Sequence, residues 1–283
     1  MGEVLLTKRI EFAAAHRYHN PKWDAARNRA VFGACNNEHG HGHNYLLEVT
    51  VSGEVDPQSG MVVNLYDLKK ALEQVLEGFD HKHLNLDTPY FKDRIPTTEN
   101  IALVLWSILA KYPAIGRLET VRVFENEDLF AEVTAEMVRA KAGSPASARL
   151  TRRYHFSAAH RTWSPQLSEA ENRRIYGPCS YSNGHNYVLS VVVRGQINDD
   201  TGMVVDLVAL DRAVRERVLM RLDHKDLNED PDLGGRPTTG ENLAALIWSL
   251  LVKAMPSGGL ERITIAQTRD LSFEYSEPAA ALR

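Results

Sequence analysis

Cysteine is nearly absent: Cys35 and Cys179 are the two thiols in 283 residues. So few thiols give no disulfide framework, and a reducing, cytoplasmic setting is expected. No apolar run approaches the length of a bilayer span, so no membrane partner is expected. The opening stretch Met1–Leu6 lacks the basic region and long apolar core of a secretory leader. Blocks of Lys or Arg are missing too. The formal net charge is −4, which argues against a nucleic-acid-binding surface. What is present is an ordinary globular composition, 43% hydrophobic and 25% charged, long enough for two domains.

An internal repeat decides the organisation. Phe12-Ala13-Ala14-Ala15-His16-Arg17 returns as Phe156-Ser157-Ala158-Ala159-His160-Arg161. Gly42-His43-Asn44-Tyr45 returns as Gly184-His185-Asn186-Tyr187, and Gly60-Met61-Val62-Val63 as Gly202-Met203-Val204-Val205. Asp80-His81-Lys82 returns as Asp223-His224-Lys225, and Trp106-Ser107 as Trp248-Ser249. The offset stays at about 141–144 residues, so a whole domain is duplicated in tandem. The expected division is a first domain over 1–140, a small-residue linker over 141–148 and a second domain over 149–283.

In the first copy, Ile10, Phe12, Ala14 and His16 share one face of an extended segment. Residues 17–34 read as a long loop. Tyr45 to Val55 reads as a second strand, and Leu65 to Phe79 has helical spacing. Thr98 is placed to cap a second helix over Asn100 to Ala110, with Glu99 in its first turn. Leu118 to Phe124 and Leu129 to Val138 close with a hairpin. The order β-β-α-α-β-β gives an α+β domain, an antiparallel sheet with helices on one face. Four strands leave two open edges, and closing several sheets into a barrel removes them. Oligomerisation is expected on that ground.

The chemistry concentrates in Cys35-Asn36-Asn37-Glu38-His39-Gly40-His41-Gly42-His43-Asn44-Tyr45. His41 and His43 leave the same face of a strand. With His16 they form a three-imidazole set that suits Zn²⁺ with one position open. Gly40 and Gly42 are expected to keep the backbone slim for a ligand. His39 is the spare, facing solvent or standing behind the ligands. Cys35 suits a base or nucleophile beside the metal, with a zinc ligand or a buried structural thiol as alternatives. Asp80-His81 reads either as an acid–base pair or as a helix C-terminus with a favourable His. Glu125, after the apolar strand Val121 to Phe124, reads either as a carboxylate for a planar amidine-like edge or as a solvated loop acid.

These motifs together resemble the 6-pyruvoyltetrahydropterin synthase family, whose wider circle includes the 6-carboxytetrahydropterin synthases. The residues that carry it are Phe12-x-x-x-His16, the Cys35 to Tyr45 stretch, Gly60-Met61-Val62-x-Asn64-Leu65, Asp80-His81-Lys82-x-Leu84-Asn85, Thr97-Thr98-Glu99-Asn100 and the strand ending in Glu125. The resemblance implies tunnelling-fold (T-fold) domains that close into barrels. It implies zinc on His16, His41 and His43, and a pterin triphosphate, 7,8-dihydroneopterin triphosphate, as substrate. Cys35 would move protons, with Asp80 and His81 supplied from a neighbouring domain. Glu125 would anchor the pterin, with Thr97, Thr98 and Glu99 near it. Five residues between Cys35 and His41 point to the pyruvoyl branch rather than the carboxy branch of queuosine synthesis. A non-catalytic pterin-binding assembly is a further reading.

The second copy departs from the pattern. Asn183 stands where His41 stands, and a neutral amide is a poor zinc ligand. Gln267 replaces Glu125, and Gly240 is read as an insertion in the Thr-Thr-Glu-Asn turn. The second domain is therefore expected to be inactive. Six T-fold domains would make a homotrimer, with three first copies in one barrel and three second copies in the other.

Overall fold

The computed structural model describes residues 2–139, 145–233, 235–255 and 259–277. Two compact units divide the chain: residues 1–151 with 194–208, and residues 152–193 with 209–283. The stretch 194–208 belongs to the second repeat by sequence and to the first unit by structure. Residues 141–144 of the expected linker lie outside the described residues, and the next strand already begins at Ser147.

The first repeat runs β1 (Val4–His16), α1 (Ala25–Phe32), β2 (His41–Gly53), α2 (Leu65–Leu76), β3 (Lys82–His83), α3 (Leu84–Asp87), α4 (Thr98–Leu109), β4 (Arg117–Asn126), β5 (Leu129–Thr134) and α5 (Ala135–Arg139). Its strands lie in the order β3-β1-β2-β4-β5. Alternation builds one apolar face: Leu47, Val49, Val51, Val121, Val123, Ala131 and Val133 are fully buried. Helix α2 lays Leu68, Leu72 and Leu76 into this core, and α4 lays Ile101, Leu105 and Leu109.

Three local expectations change. Residues 17–34 contain α1, capped by Asp24, whose side chain accepts from Arg27 N. The helix carries little amphipathic signal and is held by one buried amide. Asn28 accepts from Asn20 N at 2.7 Å and donates to Asn20 O at 2.9 Å. The closing hairpin ends at Thr134, and the residues up to Arg139 are helical. The cap of α4 is Thr97, which accepts from Asn100 N, so the hydroxyl of Thr98 is left for other work.

The second repeat runs β6 (Ser147–His160), α6 (Glu169–Tyr176), β7 (Asn183–Gln196), α7 (Leu207–Val214), a π-turn (Arg215–Leu219), α8 (Met220–Leu222), β8 (Lys225–Asp226), α9 (Gly240–Val252), β9 (Gly259–Thr268) and β10 (Leu271–Tyr275). Its strand order, β8-β6-β7-β9-β10, repeats that of the first. Asn172 plays the part of Asn28, accepting from Ser164 N at 2.7 Å. Among the described residues, no helix is long and apolar enough to cross a membrane.

Candidate active site

Strand register builds the site. β1 and β2 are antiparallel, and His16 lies directly opposite His41, with His43 opposite Ala14. Side chains two apart on β2 share a face, so three imidazoles from two strands converge. One nitrogen from each of His16, His41 and His43 falls within 4.8 Å of the others. The Nε2 atoms of His16 and His41 are 3.2 Å apart. Tetrahedral ligands at ~2.0–2.1 Å from Zn²⁺ stand roughly 3.3 Å from one another. His43 Nε2 is buried and has no hydrogen-bond partner among the described residues.

The protonation states fit a cation. Burial lowers the pKa of His16 to about 4, against an opposing pull from Glu125. Burial also lowers that of His43, again opposed by Glu125. Neutral imidazoles offer lone pairs. Nδ1 of His16 is 3.0 Å from Pro96 O, and donating there leaves Nε2 bare. Tyr45 Oη lies 2.9 Å from the same Nδ1. The Asn37 amide is 3.1 Å from His41 Nδ1. Turned with its oxygen to the ring, at the loss of its 3.4 Å bond to Ala34 O, it accepts Nδ1–H and leaves that Nε2 bare as well. A proton shared between two rings would still leave the third nitrogen unpaired, so this donor set fits a metal ion.

Glu125 stands beside the histidines, not in a solvated loop. It has the parity of the buried Val121 and Val123 and falls at a bulge, between the pairs Phe124–Phe130 and Asn126–Leu129. Tyr18 and Thr98 both donate to its Oε2, at 3.1 and 2.8 Å. Its Oε1 is 3.5 Å from His43 Nε2. Thr97 caps α4 and donates to Gly202 O at 2.6 Å. Glu99 is buried and accepts from Val204 N at 3.0 Å. Burial, first of all, raises its pKa to about 7.

Cys35 sits half-buried in the 3₁₀ turn Gly33–Asn36 and packs against the cluster of Tyr18, Phe32, Ile95 and Met203. Asp80 and His81 are not part of the histidine cluster. They hold each other at 2.9 Å on the surface, and Asp80 accepts from Ala13 N. His81 has φ +55°, a left-handed conformation, held by its N–H on Ala13 O. His39 is exposed. The glycines make room for the chain itself, not for a ligand. A Cβ on Gly40 would stand 2.7 Å from His16 O and 2.8 Å from His83 Nε2. One on Gly42 would stand 3.2 Å from Ala14 O.

A cavity of about 720 Å³ opens beside these residues, lined among others by Arg17, His19, His39, His83, Lys92 and Arg94. Glu38, Asp93, Asp199 and Asp200 line it too. Arg17 Nε and His83 Nδ1 are buried there without a partner among the described residues. Tyr18, Tyr45 and Asn37 were not singled out by sequence reasoning. Tyr45 was accessible to it: two residues past His43 on one strand, it had to share the histidine face.

The second unit has the frame without the donors. His160 Nδ1 is 2.8 Å from Thr238 O, as His16 is from Pro96 O. Asn183 turns its amide to Tyr181 O. Gln267 Nε2 lies 3.4 Å from His160 Nε2. Gly240 is no insertion. Thr239 caps α9 by accepting from Asn242 N, as Thr97 does for Asn100, so Gly240 takes the place of Thr98. A Cβ there would overlap the Phe273 ring at 2.1 Å. Phe273 corresponds to Ala131 and fills the space over Gly240.

The sequence profile described as 6-pyruvoyl tetrahydropterin synthase matches residues 5–136 and again 149–278. The chain belongs to this family. A human 6-pyruvoyl tetrahydrobiopterin synthase is 46% identical over 127 residues, 44% of this chain and 88% of that protein. A putative 6-carboxy-5,6,7,8-tetrahydropterin synthase of Archaeoglobus fulgidus is 43% identical over 93 residues, 33% of this chain and 74% of that protein. The structure of the Caenorhabditis elegans 6-pyruvoyl tetrahydropterin synthase matches 48% of this chain and 97% of its own, at 38% identity and a TM-score of 0.45. The double match makes the chain a tandem pair of α+β T-fold domains. The candidate metal site of the family falls in the first.

Proposed function

We propose that the first unit is a zinc-dependent 6-pyruvoyltetrahydropterin synthase. It would convert 7,8-dihydroneopterin triphosphate to 6-pyruvoyltetrahydropterin with elimination of triphosphate. The observation that carries this reading is the meeting of three imidazole nitrogens within 4.8 Å and a buried carboxylate 3.5 Å from one of them. His16, His41 and His43 would hold the ion. When bound, zinc would polarise the side-chain oxygens of the substrate and acidify the neighbouring carbon-bound protons.

Glu125 would receive the planar amino-pyrimidine edge of the pterin through paired N–H···O bonds. Tyr18 and Thr98 fix that carboxylate from behind through Oε2. Thr97 and Glu99 border the same place. Cys35 would take and return the protons. Asp80 and His81 would serve as a relay in the site of a neighbouring domain, since each faces solvent in its own. Arg17, Lys92 and Arg94 in the adjoining cavity suit the triphosphate, and the unpartnered Arg17 Nε is a ready donor.

The carboxy reaction is the second reading, and the Archaeoglobus fulgidus relative favours keeping it in view. Product analysis decides between them. Purified, zinc-loaded protein given the triphosphate should release triphosphate and form the pyruvoyl product without acetaldehyde. Acetaldehyde with a carboxylated pterin would establish the carboxy reaction. A bound but unchanged pterin would leave a binding assembly.

A further inference from the structure

The repeated loop after β2 and β7 has one sequence and two environments. Both copies carry Gly-Met-Val-Val, and both fold alike. Asp56 N donates to Met61 O at 3.0 Å, and Asn198 N to Met203 O at 3.0 Å. Gly60 and Gly202 share the left-handed conformation, at φ +70° and +74°. The second copy is docked within the first unit. Gly202 O accepts from Thr97, Val204 N donates to Glu99, and Asp200 O accepts from Asn20 Nδ2. Met203 is buried with Tyr18, Phe32 and Ile95. A Cβ on Gly202 would stand 2.7 Å from Asn100 Nδ2, and one on Gly33 would meet Val208 at 3.3 Å.

The first copy of the loop is bare. Met61 is 38% exposed where Met203 is 3%, and Leu65 and Tyr66 are 54% and 72% exposed. A Cβ on Gly60 would meet nothing within 4 Å among the described residues. The face that would receive such a loop is equally bare in the second unit. Gly177, counterpart of Gly33, has nothing within 4 Å of its Cβ position among the described residues. Glu241, counterpart of the buried Glu99, is exposed. Yet the face is built the same way: Thr239 caps α9 as Thr97 caps α4, and Asn242 donates to Pro237 O at 2.8 Å as Asn100 does to Ile95 O at 2.9 Å. Ile175, counterpart of the Val31 that packs on the first unit's cluster, is exposed.

We infer that the Gly60–Tyr66 segment of one chain docks on the Gly177, Thr239 and Glu241 face of a second copy of this chain. The docked second-repeat loop is the template for the contact. By its register, Gly60 O accepts from Thr239, Val62 N donates to Glu241, and Tyr66 covers Gly177 as Val208 covers Gly33. Each contact then joins unlike repeats. A ring of first copies alone, as the sequence led us to expect, leaves this loop no free face, because its own chain already fills Thr97 and Glu99.

Two measurements on the full chain test this. Sedimentation should give an assembly of two or more chains. In Met61→Asp with Tyr66→Asp, the association should weaken at least ~10-fold, with the circular dichroism unchanged. Independently, Leu65→Cys should form an intermolecular disulfide with the native Cys179 under mild oxidation, since Leu207 and Cys35 pack on one cluster in the template. Adding Cys179→Ser should abolish the link. A wild-type chain that sediments alone, an assembly indifferent to the aspartates, no disulfide, or a link that survives Cys179→Ser would each overturn the inference.

Discussion

His16 and His160 hold the same place at the ends of their strands, each with Nδ1 on a backbone carbonyl. Around His16 stand His41, His43, Glu125, Tyr18 and Tyr45. Around His160 stand His185, Tyr187 and an amide, Gln267. The carbonyl and the buried Asn28 or Asn172 survive in both, because each serves the backbone; His43, Tyr45, Cys35 and the Asp80–His81 pair also recur, as His185, Tyr187, Cys179 and Asp223–His224. The groups lost from the second repeat are the imidazole of His41, the carboxylate of Glu125, and the Tyr18 and Thr98 side chains that hold that carboxylate. They are also lost together. Gln267 replaces the carboxylate, Gly240 removes the hydroxyl that would hold it, and Phe273 fills the room. The fold thus keeps its chain architecture where the donor at His41 and the carboxylate at Glu125 are gone.

The comparison can be broken at its strongest point by His41→Asn, which gives the first repeat the amide of the second. Zinc by mass spectrometry of the purified protein should fall from about one per chain to none, and turnover should drop more than ~10³-fold. The converse change, Asn183→His, should raise zinc toward two per chain without new turnover. New turnover would show that Gln267, Gly240 and Phe273 do not matter. The two cysteines form the next contrast. Cys35→Ala should cost ~10²–10⁴-fold in kcat, the range for a positioned proton carrier, whereas Cys179→Ala should leave it unchanged. Equal effects, or none, would remove Cys35 from the mechanism.

Glu125→Gln imitates the second repeat at the anchor. Loss of a charge-assisted pair there should lower kcat/KM by ~10²-fold, with zinc retained. Loss of zinc instead would make Glu125 a support of the histidines. The smallest effect concerns Glu99. Its pKa is raised by burial from the ordinary 4.5 to about 7. The folded state thus favours the protonated form, and that contribution is complete below about pH 4.5. It is lost as pH rises through about 7, by at most on the order of 3 kcal/mol. Urea unfolding from pH 4 to 8 should show the wild type losing stability relative to Glu99→Gln over that window. A constant difference would mean that Val204 N–H holds the carboxylate ionised.

Much of this was readable in the sequence for physical reasons that act locally. Period-two alternation put His41 and His43 on one face, and the repeat exposed the missing ligand at Asn183. Other features were hidden because they depend on partners far along the chain. Helix α1 rests on Asn28 reaching Asn20, not on an apolar stripe. Thr97 rather than Thr98 caps α4 because Thr98 turns to Glu125, 27 residues on. Glu125 looked like one of several loop acids until its parity with Val121 and Val123 and the bulge set it facing inward.

By itself, then, the sequence determined the duplication, the order of the four long strands and two long helices, and the donor set of the first repeat, since each is written in residue type and short-range period. Tertiary structure alone decided what those donors meet. Register set His16 against His41 across 25 residues, and packing laid Gly202–Val204 on Thr97 and Glu99 across 105. The same Gly-Met-Val-Val is buried in one copy and bare in the other, because burial depends on what packs against a segment as well as on its sequence.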